Sequence, residues 1–353
     1  MIQEQSRHGL KTNRVTEEGE VAAKRHPLSC ANGIFACENA TDLTSAQFSC
    51  IGNEACRDTY DLSAGYKSCF GHEACQMAHR VTVGDRSCVG KWPCFNLRWS
   101  DVGEKSCEGK SACESSTFLA AGNSSCVGEE VCYDTTDLVI GNEGCIGKEA
   151  CRKSNNTMAG VDTCVGSYAC HTTSSMYIGD LSCHGYDACW DASNSTIGGD
   201  SCYGELSCHN ITNGYIDNIS CLGKGTCMHS DCLTTDVTSC VGTDSCYGTK
   251  NSQVGRVSCI GNDRSCANIT DTNIGMQSCK GNMACYASVN AVFETNSCNC
   301  NGCCQSCDNA VVPANECNNQ EERCSYCPPL VDPRLEASLE PTPVPSSYPI
   351  ISP

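Results

Sequence analysis

Cysteine is the residue this sequence spends most freely on chemistry: 37 of 353 positions carry it. Thiols in that number either oxidise to disulfides or, as thiolates, hold soft metals such as zinc. Their spacing is regular. The first cysteine of a recurring unit falls at 50, 69, 88, 107, 126, 145, 164, 183, 202, 221, 240 and 259, and every step is nineteen residues. A second cysteine follows six residues later in each unit up to Cys246. One residue is inserted between Cys259 and Cys266, after which the next pair is Cys279 and Cys285; a first pair, Cys30 and Cys37, carries a similar insertion.

The simplest oxidation pattern joins the two cysteines of one unit. It pairs Cys30 with Cys37, Cys50 with Cys56, Cys69 with Cys75, Cys88 with Cys94, Cys107 with Cys113, Cys126 with Cys132 and Cys145 with Cys151. It continues with Cys164 and Cys170, Cys183 and Cys189, Cys202 and Cys208, Cys221 and Cys227, Cys240 and Cys246, Cys259 and Cys266, and Cys279 and Cys285. Pairing between neighbouring units is the alternative that sequence leaves open. A bridge closing so short a loop stabilises by about 2–2.5 kcal/mol. Ordering a unit costs about 1.5 kcal/mol per residue, so backbone ladders and packing between units must supply most of the stability.

Nine cysteines remain: Cys232 and eight in the tail at 298, 300, 303, 304, 307, 317, 324 and 327. Eight can pair among themselves, which leaves Cys232 as the candidate unpaired thiol. Its readings are an intermolecular bridge, a buried thiol, or a partner in a rearranged tail. The C-x-x-C pairs Cys300/Cys303, Cys304/Cys307 and Cys324/Cys327 have zinc-site spacing. The tail holds no histidine and the rest of the chain reads as oxidised, which favours disulfides.

Other chemistry is thin. No G-x-S-x-G, H-E-x-x-H, P-loop or dinucleotide fingerprint occurs, so no catalytic residue is assigned and no cofactor or resident metal is called for. With the first cysteine of a unit as position 0, acidic residues at position 4 (Glu54, Glu73, Glu130, Glu149, Asp187, Asp244) form a broken row that reads as a solvated face. Position 7 carries an aromatic and histidine stripe: Phe95, Tyr133, His171, Trp190, His209, Tyr247 and Tyr286. Stacked on one face it could cradle sugar rings or another protein; otherwise it is a side-chain ladder that stabilises a sheet. N-x-S/T sequons at Asn39, Asn123, Asn155, Asn194, Asn210, Asn218 and Asn268 are glycosylation candidates on outward positions.

These residues need a repeating element to carry them. Position 2 is Gly from Gly52 to Gly281, and position 5 is small, as at Ala55, Ala74 and Ala150. Positions 12 and 14 are apolar around a polar or small residue, as in Leu62/Ala64 and Leu138/Ile140. Apolar residues two apart mark one buried face of a strand, and no window sustains a helical period. A fixed period of units too small to fold alone is the mark of a solenoid. The expectation is an all-β, disulfide-stapled parallel β-solenoid, one nineteen-residue repeat per coil and about fourteen coils, closed by a small cysteine-rich C-terminal cap. Insertions near Cys37 and Cys266 should be bulges. The boundaries read as a disordered or processed leader over 1–29, repeats over 30–297, the cap over 298–327 and a proline-rich linker or stalk over 328–353.

The S-C-x-G-x-x-A-C unit, recurring every nineteen residues over roughly 30–297, resembles the tandem cysteine-rich repeats of uncharacterised secreted or surface proteins of diatoms and related algae. The resemblance implies a solenoid in an extracellular setting and transfers no activity and no functional residue.

Function follows from composition more than from motif. So many thiols imply a secreted or cell-surface protein. A net charge of −18 excludes a nucleic-acid partner, because phosphates need Lys and Arg. No transmembrane stretch appears. The first 27 residues hold no apolar run, so the expected secretory leader lies upstream, the chain is a fragment, or its start is misassigned; Lys24-Arg25 is a candidate processing site. The leading expectation is a non-enzymatic extracellular structural or spacer rod of a cell surface, wall or fibre. The competing one is an adhesin or glycan-binding ectodomain using the position-7 face, with glycans, other surface proteins or further copies of itself as partners. An ice-binding protein and a polysaccharide-acting enzyme are more remote: position 9 shows small residues and no threonine lattice, and no carboxylate cluster stands out.

Overall fold

A computed structural model describes residues 36–37, 42–231, 233–266, 268–305 and 307–318. Over these the chain is a parallel β-solenoid with no helix. Fifteen short strands, from Thr44–Ser45 to Val311–Val312, form one all-parallel sheet in chain order. Each residue pairs with the one nineteen positions on, as in Tyr177↔Thr196 and Ile178↔Ile197. At a spacing of about 4.8 Å per coil, the rungs from Cys50 to Cys317 span roughly 67 Å.

The strand lies at positions 11 to 14. In Asp61–Ala64, Arg80–Val83, Trp99–Val102 and Asp137–Ile140 the alternation is exposed, buried, exposed, buried. Positions 12 and 14 therefore point inward. A second, thinner ladder runs at position 1, where Phe70–His72 pairs with Val89–Lys91 and single bridges continue through Val127↔Ile146 and Val241↔Ile260. The core between them is one side chain deep: a disulfide, a small residue at position 5, and the aliphatic pair of the strand.

The bridges close each coil on itself. Cys50–Cys56 through Cys240–Cys246, and then Cys279–Cys285, join residues six apart, with Cα–Cα distances between 5.4 and 6.0 Å. Cys259–Cys266 joins residues seven apart. The inserted residue is taken up by Asp263 and Arg264, both left-handed, where other coils have one such residue. The sheet recovers its register one residue late, at Val254↔Ile274. Both cysteines of every such pair have φ between 48° and 60°. Left-handed backbone costs a non-glycine residue on the order of 1 kcal/mol, and here it turns the chain at the two points the disulfide ties together.

Two further columns explain the letters around each cysteine. At position 2 the glycines from Gly52 to Gly242 have φ from +127 to +142, and a Cβ on Gly52 would lie 1.8 Å from the Gly71 carbonyl oxygen. Coils touch backbone to backbone there, so no side chain fits. At position 18, Ser87 Oγ donates to the Gly103 carbonyl of the next coil and accepts from the Ser106 amide; Ser106 repeats this with Gly122 and Ser125. These serines are fully buried. The same bond to the next coil is made by Ser125, Ser182, Ser201, Ser220, Ser239, Ser258 and Ser278, whereas Ser49, Ser68 and Ser297 bond within their own coil.

The repeats do not stop at 297. Val292–Phe293 pairs with Val311–Val312 in the same register, and Cys298–Cys304 repeats the six-residue rung. The segment expected as a separate cap begins as one more coil. In it Cys300 replaces the position-2 glycine and bonds to Cys303. Cys37, Cys307 and Cys317 are also disulfide-bonded. Cys30, Cys232, Cys324, Cys327 and Asn39, with the expected leader and proline-rich stalk, lie outside the described residues.

Candidate functional site

The position-7 stripe follows the second cysteine of each coil, so the disulfide corner fixes where it stands. Phe95, Tyr133, His171, Trp190, His209, Tyr247 and Tyr286 are all half-buried. The structure brings the middle of the row together. His171 and Trp190 stack with ring centroids 4.4 Å apart and planes 12° apart; Trp190 and His209 follow at 6.4 Å and 17°. Below them the Arg152 guanidinium lies over Tyr133 at 5.3 Å. Tyr168 borders the stack, 5.5 Å from Trp190 and 5.8 Å from His171. Tyr247 meets His229 edge-on at 5.1 Å. Glu114 separates Phe95 from Tyr133.

This geometry bears on sugar binding. A pyranose stacks on an open ring face; His171 covers one face of Trp190 at 4.4 Å, and His209 stands near-parallel on the other at 6.4 Å. The stack is a cross-coil ladder that leaves ring edges to solvent.

Beside the ladder lies a row of acids at position 4. Glu149 accepts a hydrogen bond from Arg152, which also reaches Glu130 at 3.3 Å, and Lys148 stands 3.8 Å from Glu149. Burial pushes the Glu149 carboxyl up, but the Arg152 hydrogen bond and the charges of Arg152, His171 and Lys148 outweigh it and hold the group below its ordinary value. His171 is pulled down by burial, with Glu149 offsetting part of the effect. Its Nδ1 pairs with Thr172 Oγ1 at 2.9 Å, whereas Nε2 stands 3.4 Å from Glu149 Oε2 without hydrogen-bond geometry. A histidine neutral at pH 7 makes that a loose contact rather than an ion pair. Asp187 is raised by burial, and its Oδ1, like His209 Nδ1, has no hydrogen-bond partner among the described residues. Glu149 is thereby a structural anion held by Arg152, poorly suited to take up a proton.

The sulfur columns were the other chemical candidates. Cys50, Cys56 and Cys69 have sulfurs mutually within 4.8 Å, as do Cys75, Cys88 and Cys94. Bonded in pairs, these sulfurs offer no thiolate to a metal. In the tail Cys300 is bonded to Cys303 and Cys304 to Cys298, which removes four sulfurs from any zinc site there.

Two surfaces carry functional potential that the repeat pattern did not flag. One is a shallow open groove of about 950 Å³ lined by Asp162, Leu181, His184, Asp200, Tyr203 and Leu222. His184 stacks on Tyr203 at 5.3 Å and holds the Asp162 carbonyl at 2.6 Å. Its sequence signal is the alternation Asp162, Leu181, Asp200, Ile219 at position 17 of successive coils. The other is the outer face of the sheet, where Trp99, Phe118, Met158, Tyr177 and Tyr215 are exposed. Of the sequon asparagines, Asn123, Asn155, Asn194, Asn210, Asn218 and Asn268 are exposed. Asn123 and Asn218 also accept backbone hydrogen bonds from Glu104 and Gly199 of the preceding coil.

The family whose model matches the chain is described as a domain of unknown function (DUF7640), and it matches three times, over residues 16–105, 93–181 and 157–234. The chain belongs to this family, and the threefold match agrees with a cysteine-rich tandem repeat. No curated protein and no solved structure matches the chain.

Proposed function

We propose that this member of the family is a non-enzymatic extracellular rod, a structural or spacer element of a cell coat, wall or surface fibre. One observation carries the reading. Every described coil from Cys50 to Cys285 is closed by its own disulfide, and all of those sulfurs are fully buried. Such a column persists in oxidising compartments and stiffens a core too thin to be rigid by packing alone. The exposed sequon asparagines support a secretory route with N-glycans on the outer surface. Among the described residues no helix is long and apolar enough to cross a membrane.

The test is small-angle scattering of the full chain together with a thiol count on non-reduced protein. The rod reading expects the profile of a stiff cylinder roughly 67 Å long over the described coils and almost no free thiol. A flexible-string profile, or mostly free thiols, overturns it.

A binding ectodomain is the second reading. The observation that favours it is the groove around His184 and Tyr203, since His171, Trp190 and His209 of the position-7 row stack on one another. Glycan-array binding lost on Tyr203→Ala but kept on Trp190→Ala would promote it.

A further inference from the structure

The outer face of the sheet is built from positions 11 and 13, the two outward residues of each strand. From the Cys50 coil onward, charged residues stand at these positions in five coils, at Asp61, Arg80, Asp101, Asp137 and Asp271. From Val139 to Gln253 the pattern changes. Position 13 reads Val139, Met158, Tyr177, Thr196, Tyr215, Thr234 and Gln253, and in the sequence position 11 supplies Asn156, Ser175, Asn194, Asn213, Cys232 and Asn251. Between Asp137, which shares a strand with Val139 and borders the strip, and Asp271, no charged residue falls at either position, in a molecule with a net charge of −18.

The row is continuous. Val139 pairs with Met158, Met158 with Tyr177, Tyr177 with Thr196, and Thr196 with Tyr215. Its large members stand out in water: Val139 is 44% exposed, Met158 54%, Tyr177 54% and Tyr215 49%. At one end the row approaches Phe118, whose ring meets Trp99 edge-on at 5.2 Å. Single exposed apolar side chains are ordinary, but an aligned row on a flat sheet marks an interaction surface.

We infer that this strip is a homotypic docking face, on which a second copy of the same chain packs sheet against sheet. Charge is the first argument. Two copies of so acidic a rod repel, and the strip is where they approach without placing carboxylates opposite one another. Periodicity is the second. Both partners repeat every coil at about 4.8 Å, so side chains meet in the same register along the whole contact; an extended peptide, at about 6.7 Å per two residues, drifts out of step. Size is the third. Six coil steps make a strip about 29 Å long, and two such strips would bury on the order of 1,000 Å² in total, the lower bound of a specific interface. The contact is isologous and closes as a reversible dimer. Val139 and Met158 offer no ring to a sugar, which sets a neutral polysaccharide behind a second copy as occupant.

The inference rests on the rod reading above. Sedimentation equilibrium on the full chain tests it, in a background carrying Asn194→Gln and Cys232→Ser. Neither a glycan on the strip nor an intermolecular thiol bond then decides the result. The expected result is a concentration-dependent monomer–dimer equilibrium, weakened at least tenfold by Tyr177→Glu with Tyr215→Glu and unchanged by Phe70→Glu, which is exposed elsewhere on the coil. Equal disulfide counts and circular dichroism establish that the variants fold. A background protein monomeric at every concentration overturns the inference, and so does a double variant that dimerises as strongly. Monomeric protein that binds a neutral linear glycan, and loses it with the tyrosines, assigns the strip to a sugar and also overturns it. A stiff monomeric rod would sink this inference alone, whereas a flexible-string scattering profile sinks the rod reading beneath it.

Discussion

A Cβ placed on Gly109 would lie 1.9 Å from the carbonyl oxygen of Gly128, one coil away. Gly109 also has φ +138, a region closed to side chains. The two facts have one origin: coils touch through bare backbone at position 2. Gly109→Ala must therefore both strain its own backbone and push two coils apart, and a loss of about 3 kcal/mol or more is expected. Gly199 is the control. It lacks a left-handed φ, and its nearest contact to an added Cβ is 3.4 Å. Gly199→Ala should leave the denaturation midpoint nearly unchanged while Gly109→Ala lowers it sharply. Equal midpoints would sink the argument.

The serine column gives a second prediction. Ser106 Oγ donates to Gly122 O and accepts from the Ser125 amide, and the residue is fully buried. Ser106→Ala removes one oxygen and strands two buried backbone groups, a loss of about 1–3 kcal/mol. Ser106→Thr keeps an oxygen at the position, although the native Thr163 turns its Oγ1 to the Gly160 carbonyl of its own coil. Guanidinium unfolding without reductant should rank wild type and Thr above Ala. An Ala variant as stable as wild type would mean that water fills the place of the hydroxyl.

Much of this was legible in the letters because a period reports what every coil shares. Nineteen-residue spacing implied stacked parallel strands, and the position 12 and 14 alternation implied their inward face. The column S-C-x-G was visible as a pattern, although its reason lies in the contact of one coil with the next, which no single unit displays. Cys298 and Cys304 kept the six-residue rung, but Cys300 in place of glycine hid it inside a dense cysteine run. Of the position-7 residues, His171, Trp190 and His209 form a stack, and that stacking depends on side-chain torsions. The strip through Met158, Tyr177 and Tyr215 and the groove at Tyr203 are departures from the repeat. A reading built on the repeat passes over them.

Acid should weaken the fold in two steps. Burial lowers His171 from its ordinary value of 6.5, so just below that pH the unfolded chain binds the extra proton and stability falls as pH falls. Glu149 is held below its ordinary value of 4.5, so its contribution is complete above 4.5 and is lost as pH drops through the folded value. Asp187 has the opposite sign. Burial raises it from 3.8, so the folded state prefers its protonated form, and that preference is lost as pH rises through the folded value. Denaturation midpoints followed from pH 7 to pH 3 should fall for wild type. His171→Gln should remove the earlier part of the fall, and Asp187→Asn should raise the midpoint at pH 7. A His171→Gln profile superimposable on wild type would refute the assignment.

A single rung can be removed to ask what one disulfide does. Cys145 and Cys151 are bonded to each other, with Cα atoms 5.8 Å apart. The neighbouring coil brings Cys164 close enough that the three sulfurs lie within 4.8 Å of one another. Replacing both members, Cys145→Ser with Cys151→Ser, deletes one short loop and should cost about 2.4 kcal/mol by chain entropy, while all other rungs stay paired. Replacing Cys151 alone leaves the Cys145 thiol beside the Cys164–Cys170 bridge, positioned to attack it. The single variant should therefore show scrambled bridges near the site in peptide mapping, and the double variant should map cleanly. If both map alike, the column does not exchange along its length, and each bridge is sealed by its own coil.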